Sequence, residues 1–149
     1  MKFIGMTSAR MDAKGRIFLP SDFRKQLEGA DRRLVLKRDV FQPCLVIYPY
    51  EVWEAEVGGL RRRLNCWNPR EAMLFRQFMA YIEVFELDSK GRFIVPRRWL
   101  EFCRIENSVS FIGMDDRIEV WSSSFTEQPF LSADDYARSF EEVMSRPFS

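Results

Sequence analysis

The chain has 149 residues, of which 46% are hydrophobic and 30% are charged, and its formal net charge is +1. This size and composition fit one globular domain or two small ones and argue against a disordered, collagen-like or coiled-coil protein. Histidine is absent, which excludes Ser–His and Cys–His nucleophilic catalysis and imidazole metal ligation.

The first 50 residues predict one unit built around a turn. An apolar stretch at 3–6 leads into Asp12-Ala13-Lys14-Gly15-Arg16, which is followed by three apolar residues and Pro20. Asp12 can accept hydrogen bonds from downstream backbone N–H groups, and Gly15 suits a position with positive φ. Pro20 ends the short strand because proline cannot donate to a strand ladder. One or two helical turns at 20–27 and strands at 34–36 and 45–48 complete the unit.

Two helices are predicted after this unit. Apolar residues at 53, 57, 60 and 64 have helical spacing, although Gly58-Gly59 weakens that prediction. Asn68 is a typical N-cap with Pro69 at the first helical position, and the helix that follows carries an apolar face through residue 82. We expect the aromatic and Met side chains of that face to pack in the core rather than to form a ligand pocket: Phe75, Phe78, Met79 and Tyr81.

The unit then recurs, which is direct evidence of a duplicated structure. Asp88-Ser89-Lys90-Gly91-Arg92 stands 76 residues after the first turn and is again followed by three apolar residues and Pro96. An apolar stretch at 81–87 precedes it, and strands are predicted at 109–111 and 118–121. A final helix is predicted after Ser132. The predicted order is therefore βαββ, two helices, a second βαββ and a tail helix.

The remaining chemistry-bearing residues favour ordinary structural roles. Asp115, Asp116 and Glu119 lie between two predicted strands, where turn chemistry is a better interpretation than a metal site. The three cysteines are widely spaced and odd in number, which favours a reducing compartment, and we expect Cys44 and Cys103 to be core thiols. No apolar run approaches the roughly 20 residues of a membrane helix. We therefore expect a cytosolic protein with no membrane partner.

Charge is distributed unevenly along the chain. Residues 1–40 carry ten basic and five acidic side chains, whereas residues 105–149 carry three basic and nine acidic ones. Basic segments beside an acidic tail are compatible with a nucleic-acid partner and equally with an ordinary variation of surface charge.

The two copies of Asp-x-Lys-Gly-Arg, each followed by three apolar residues and Pro and separated by a helical linker, resemble the MraZ family of bacterial transcriptional regulators. The resemblance covers residues 1–145 and implies an α+β fold of two tandem AbrB-like repeats, each contributing to a swapped-hairpin β-barrel. The expected division is a first repeat at 1–50, a helical linker at 51–80, a second repeat at 81–122 and a helical tail at 123–149. It also implies ring-like homo-oligomers that bind double-stranded DNA at short direct repeats upstream of the division and cell-wall gene cluster.

The resemblance assigns the DNA-binding signature to the repeated turn. By position, Lys14, Arg16, Lys90 and Arg92 would contact DNA, and Asp12, Gly15, Asp88 and Gly91 would form the turns that position them. On the residues alone, an architectural turn in which each Arg makes a local salt bridge is equally compatible. Solvated-surface roles are at least as compatible for the other basic side chains: Arg10, Arg24, Arg61, Arg62 and Arg63.

We therefore predict a nucleoid-associated DNA-binding regulator with no catalytic residues, cofactor, metal or small-molecule substrate. The alternative from another class is an oligomeric scaffold or antitoxin-type partner-binding protein with the same fold, in which the acidic tail is the adhesive part.

Overall fold

A computed structural model describes residues 2–28 and 31–148. In these ranges the strands are β1 (Met6–Arg10), β2 (Arg16–Phe18), β3 (Leu34–Arg38), β4 (Leu45–Pro49), β5 (Ile82–Phe85), β6 (Arg92–Ile94), β7 (Ser108–Gly113) and β8 (Ile118–Ser122). The helices are α1 (Ser21–Gln26), α2 (Tyr50–Arg63), α3 (Pro69–Ala80), α4 (Arg97–Phe102), α5 (Ser123–Thr126) and α6 (Ala133–Met144). This arrangement of strands and helices is an α+β fold.

The two units exchange strands. Six strands form one sheet in the order β1-β7-β8-β4-β3-β5. The first unit thus gives β1 to the second unit's β7, and the second gives β5 to the first unit's β3. The central seam, β4 against β8, joins the two halves directly. The short strands β2 and β6, one from each unit, pair with each other as a separate antiparallel ribbon.

The sheet is buried on both faces at its centre. Alternate residues of β3 and β4 point to opposite faces, and both faces of these strands are apolar. Leu36 and Ile47 join the main core, which also contains the inner residues of the ribbon. Val46 and Tyr48 join a second cluster under α2, where Trp53 packs. Continuous apolar runs such as 45–48 are typical of strands that are covered twice.

The sequence prediction of βαββ units is wrong by one strand. Each unit is ββαββ, because β1 and β5 precede the turns. The lead-in at 3–6 contributes only Met6 to a strand, and β1 continues through polar residues to Arg10. Most β1 side chains are exposed because the strand lies at the sheet edge, so its apolar signal is weak. The short helix α5 was also not predicted.

The expected core role of the α3 side chains is only partly confirmed. Phe75 and Phe78 are half-buried against the cluster under α2, and Tyr81 is half-buried under the guanidinium of Arg38, 4.0 Å from its ring centre. Met79, however, is exposed, as is Leu74. The apolar face of α3 is wider than the surface that α2 and the sheet offer it, so its outer part faces solvent.

Several local predictions are confirmed. The Asn68 side chain accepts hydrogen bonds from the backbone N–H groups of Arg70 and Glu71, at 2.9 and 3.3 Å, and begins α3. Ser132 caps α6 in the same way. Cys44 and Cys103 are buried, and burial raises the pKa of the Cys103 thiol to about 12. No helix within residues 2–28 and 31–148 has the length and apolar character needed to cross a membrane.

Candidate functional site

The two Asp-x-Lys-Gly-Arg segments fold into nearly identical turns. In the first, the Asp12 Oδ1 atom accepts hydrogen bonds from the backbone N–H groups of Lys14 and Arg16, each at 2.9 Å. In the second, Asp88 Oδ1 accepts from Lys90 at 3.0 Å and Arg92 at 2.9 Å. The predicted Asx-type turns are therefore confirmed in both copies.

Glycine is required in both turns by backbone conformation. Gly15 has φ of +82° and Gly91 has φ of +84°, in the left-handed region that L side chains rarely adopt. Each glycine N–H donates a hydrogen bond to the carbonyl of the aspartate three residues earlier and closes the turn, Gly15 to Asp12 at 3.0 Å and Gly91 to Asp88 at 2.9 Å. The predicted positive φ is confirmed at both positions.

The second carboxylate oxygen of each aspartate orients the arginine that ends the motif. Asp12 Oδ2 accepts a hydrogen bond from Arg16 Nε, and Asp88 Oδ2 accepts one from Arg92 Nε, both at 2.8 Å. The local salt bridges that the sequence left open are therefore present. In the described residues, neither arginine donates a hydrogen bond from its Nη atoms. The aspartate thus fixes the direction of the guanidinium and leaves its terminal nitrogens available to a ligand.

These hydrogen bonds determine how the aspartates titrate. The backbone N–H of Arg16 is the largest influence that lowers the pKa of Asp12, and the backbone N–H of Arg92 does the same for Asp88. Hydrogen bonds to the charged form favour that form. Both turns therefore depend on ionised aspartates.

The ribbon places the two turns at its opposite ends and the arginines of both on one face. β2 and β6 pair with Arg16 opposite Ile94 and Phe18 opposite Arg92. Because side chains alternate along a strand, these four residues share the outer face, and the inner face carries Ile17 and Phe93, which are buried in the main core. We call the outer residues Arg16, Phe18, Arg92 and Ile94, together with Lys14 and Lys90 at the turns, the ribbon surface.

The ribbon surface combines positive charge with exposed apolar area. Lys14 and Lys90 are exposed, and Phe18 and Ile94 leave 47% and 61% of their surface exposed. Sequence analysis interpreted these two apolar residues only as strand formers. Their outward position was readable from the alternation of a three-residue strand, Arg-Ile-Phe and Arg-Phe-Ile, once one face is assigned to the core.

The other candidate residues lie outside the ribbon surface. Arg10 is exposed on β1, and the three arginines at 61–63 are exposed at the end of α2. Asp115 has φ of +70° in the β7–β8 turn, and Asp116 pairs with Arg117 at 2.8 Å. The interpretation of residues 115–116 as a turn is confirmed. No cluster of three or more His, Cys, Asp or Glu with metal-site geometry occurs in the described part of the chain.

Fold and site together define a duplicated, strand-exchanged α+β protein that presents one basic β-ribbon built from both halves. The family model described as "MraZ protein, putative antitoxin-like" matches residues 3–77 and 78–142. The chain belongs to the MraZ family.

Curated relatives extend this match along almost the whole chain. A protein of Phocaeicola vulgatus is 47% identical over 145 residues, which cover 97% of this chain and 94% of the relative. A protein of Bacteroides thetaiotaomicron is 45% identical over 146 residues, with the same coverage, and one of Bacteroides fragilis is 42% identical over 145 residues, covering 97% of this chain and 92% of the relative. All three are named transcriptional regulator MraZ.

Proposed function

We propose that this protein is a DNA-binding transcriptional regulator that inserts the ribbon surface into a groove of double-stranded DNA. The observation that carries this proposal is the pairing of β2 with β6, because it puts the arginines of both turns on the outer face of one narrow ribbon. The major groove is about 12 Å wide and admits a two-stranded β-ribbon. The names of the relatives support a role in transcription.

The chemistry of each side chain suits its place in such a complex. Arg16 and Arg92 are held through Nε, so both Nη atoms of each can form the bidentate contact with guanine O6 and N7. Lys14 and Lys90, at the exposed turns, suit phosphate contacts, which position a protein on DNA without reading its sequence. The apolar side chains of Phe18 and Ile94 suit contact with thymine methyl groups.

We further propose that the chain assembles into a ring-like homo-oligomer. The amphipathic helix α6 exposes Tyr136, Phe140 and Val143 and carries four acidic residues and one arginine. Exposed apolar and basic side chains, among them Leu74 and Arg76, lie on α3. Complementary charge between these helices supports contact between copies. A ring aligned with short direct repeats would gain affinity because each bound unit raises the effective concentration of the next.

The remaining expectations belong to the same proposal. The exchange of β1 and β5 between halves supports a swapped-hairpin arrangement of AbrB-like repeats. We place the protein in the cytoplasm, associated with the nucleoid, with the direct repeats upstream of the division and cell-wall gene cluster as its target. We assign it no catalytic activity, cofactor or small-molecule substrate.

A second candidate function is an oligomeric scaffold or antitoxin-type partner-binding protein. The exposed apolar stripe of α6 favours this alternative, because large unpartnered apolar faces mark interaction sites.

A titration of the chain against its own upstream DNA separates the two functions. A regulator binds that DNA more tightly than the same fragment with its repeats scrambled, and its affinity falls when salt rises from 50 to 200 mM, by an amount set by the number of phosphate contacts. Equal affinity for the two fragments would leave the partner-binding alternative.

A further inference from the structure

The two turns have the same internal hydrogen bonds but are held differently by the rest of the molecule. Arg24, on α1 of the first unit, lies against the second turn. Its Nη1 atom donates a hydrogen bond to the Lys90 carbonyl at 3.2 Å. Its side chain also packs so closely on Gly91 that a Cβ built there would lie 2.6 Å from Arg24 Cδ and 3.0 Å from Cζ. Residue 91 therefore has to be glycine for two reasons: a side chain there would collide with Arg24, and the backbone has a positive φ.

Among the residues that the structure describes, nothing supports the first turn as Arg24 supports the second. The repeat offset of 76 places Leu100 of α4 at the position equivalent to Arg24, and leucine cannot donate a hydrogen bond. A Cβ built on Gly15 meets no atom of residues 2–28 or 31–148 within 4 Å. The Leu19 N–H donates to the Gly91 carbonyl at 3.0 Å, whereas in the described part of the chain no such bond reaches the carbonyl of Lys14 or Gly15.

The arginines that end the two motifs also differ in how firmly they are held, and again the second is held more firmly. The guanidinium of Arg92 lies 5.7 Å from the ring centre of Phe18, and 16% of its side chain is exposed. Arg16 faces Ile94, which has no ring, and 29% of its side chain is exposed. Packing on an aromatic ring restricts a guanidinium and stabilises its charge. The second arginine is thus the more firmly oriented of the two.

We propose that Arg24 is a positioning residue that fixes the second turn, so that the two halves of the ribbon surface meet DNA in different ways. Arg92, held by Asp88 and packed on Phe18, is the more restricted guanidinium and dominates base recognition. Arg16 is held by Asp12 alone and loses more of its remaining freedom when DNA binds. This proposal rests on the proposed function, because it assigns unequal roles within the same DNA-binding surface. A ligand group that is ordered in advance costs less to bind than one that is ordered on contact.

The test compares Arg24→Leu, which installs the residue of the second repeat, with Lys25→Leu as a matched control. Lys25 is exposed on the same short helix, so both variants lose one positive charge from α1. Three quantities are measured on the full-length protein: affinity for the upstream DNA at two salt concentrations, amide hydrogen exchange at 13–16 and 89–92, and the melting temperature.

Arg24→Leu is expected to weaken binding by about three- to tenfold, the cost of ordering one or two side chains on contact. Its salt dependence should match the parent, because a positioning residue releases no counterion from DNA. Exchange should rise at 89–92 and stay unchanged at 13–16. Lys25→Leu should bind DNA within about twofold of the affinity of the parent, because a single exposed charge is largely screened. Its amide hydrogen exchange at 13–16 and 89–92 should match that of the parent.

Three results would overturn the positioning role. One is a fall of about one unit in the salt slope of Arg24→Leu, which would make Arg24 a phosphate ligand. Another is an equal loss of affinity in Lys25→Leu, and the third is unchanged exchange at 89–92. Failure of the proposed function is distinct, because there the parent itself would bind upstream and scrambled DNA equally.

Discussion

At the scale of single residues, the repeated motif predicted the turns well and their surroundings poorly. Asx turns at Asp12 and Asp88 and positive φ at both glycines follow from residue type, because each depends on atoms within five residues of the chain. The contact between Arg24 and Gly91 depends on the packing of distant segments against each other. No local pattern carries that information.

The two turn glycines should differ in their tolerance of alanine. Gly15→Ala is expected to lower the free energy of unfolding by about 1–2 kcal/mol, the cost of placing an L residue in the left-handed region. Gly91→Ala should cost more, because the new Cβ also meets Arg24. Chemical denaturation of both variants measures the difference, and the excess should disappear when Arg24 is alanine as well. If Gly15→Ala and Gly91→Ala lower the free energy of unfolding equally while Arg24 is unchanged, the contact between Arg24 and residue 91 is contradicted.

The turns should lose stability in acid. The folded pKa of Asp12 and of Asp88 lies below the ordinary value, so their contribution is complete above about pH 4, the unfolded pKa. It is lost as pH falls through the lower folded pKa. The melting temperature of the parent and that of the double variant Asp12→Asn, Asp88→Asn should therefore converge below pH 4 and separate above it. A constant difference from pH 2 to pH 7 would refute this account.

At the scale of elements, helices with caps were predicted and strands at sheet edges were not. Asn68 and Ser132 begin α3 and α6 as expected, because capping is a local interaction. The strand β1 was missed because an edge strand carries polar, exposed side chains. The exposure of Leu74 and Met79 was missed because helical periodicity shows which residues share a face and not how much of that face is covered.

The two linking helices should respond differently to truncation of their apolar residues. Trp53 of α2 is buried and stacks on Phe78 with ring centres 5.8 Å apart, so Trp53→Ala should lower the free energy of unfolding by about 3–5 kcal/mol. Met79 is exposed on α3, and Met79→Ala should change the free energy of unfolding by about 0.5 kcal/mol or less. Urea denaturation at protein concentrations low enough to disfavour assembly measures both. A large cost for Met79→Ala there would place that side chain in the core.

At the scale of the whole molecule, the duplication was visible in the residue pattern, whereas strand exchange was expected only from the family resemblance. A repeat predicts two similar units, but similar units are compatible both with separate packing and with exchange of strands. The pairing of β1 with β7 and of β5 with β3 joins residues between 45 and 106 positions apart. The division at residues 1–50, 51–80, 81–122 and 123–149 stays a prediction.

Assembly should depend on the charged helices. Light scattering at micromolar concentration is expected to give a mass several times the 17.8 kDa of one chain. Reversing the charge of Asp134, Asp135, Glu141 and Glu142 on α6 should lower that mass, because like charges would then face the basic residues of α3. The melting temperature should change little, since these side chains are exposed. A strictly monomeric parent would contradict self-assembly.

The central claim is that the ribbon surface binds DNA through both arginines, and the most direct test is the affinity of Arg16→Ala and Arg92→Ala for the upstream DNA, measured beside their melting temperatures. Each variant should bind more weakly, by about 1–3 kcal/mol for a lost bidentate guanine contact. The loss should be greater for Arg92→Ala, which removes the better-oriented guanidinium. Folding should be nearly unaffected, because solvent screens the ion pair that each arginine makes with its aspartate. Variants that bind like the parent, or that lose binding only because they unfold, would contradict the claim and leave the turns with a purely architectural role.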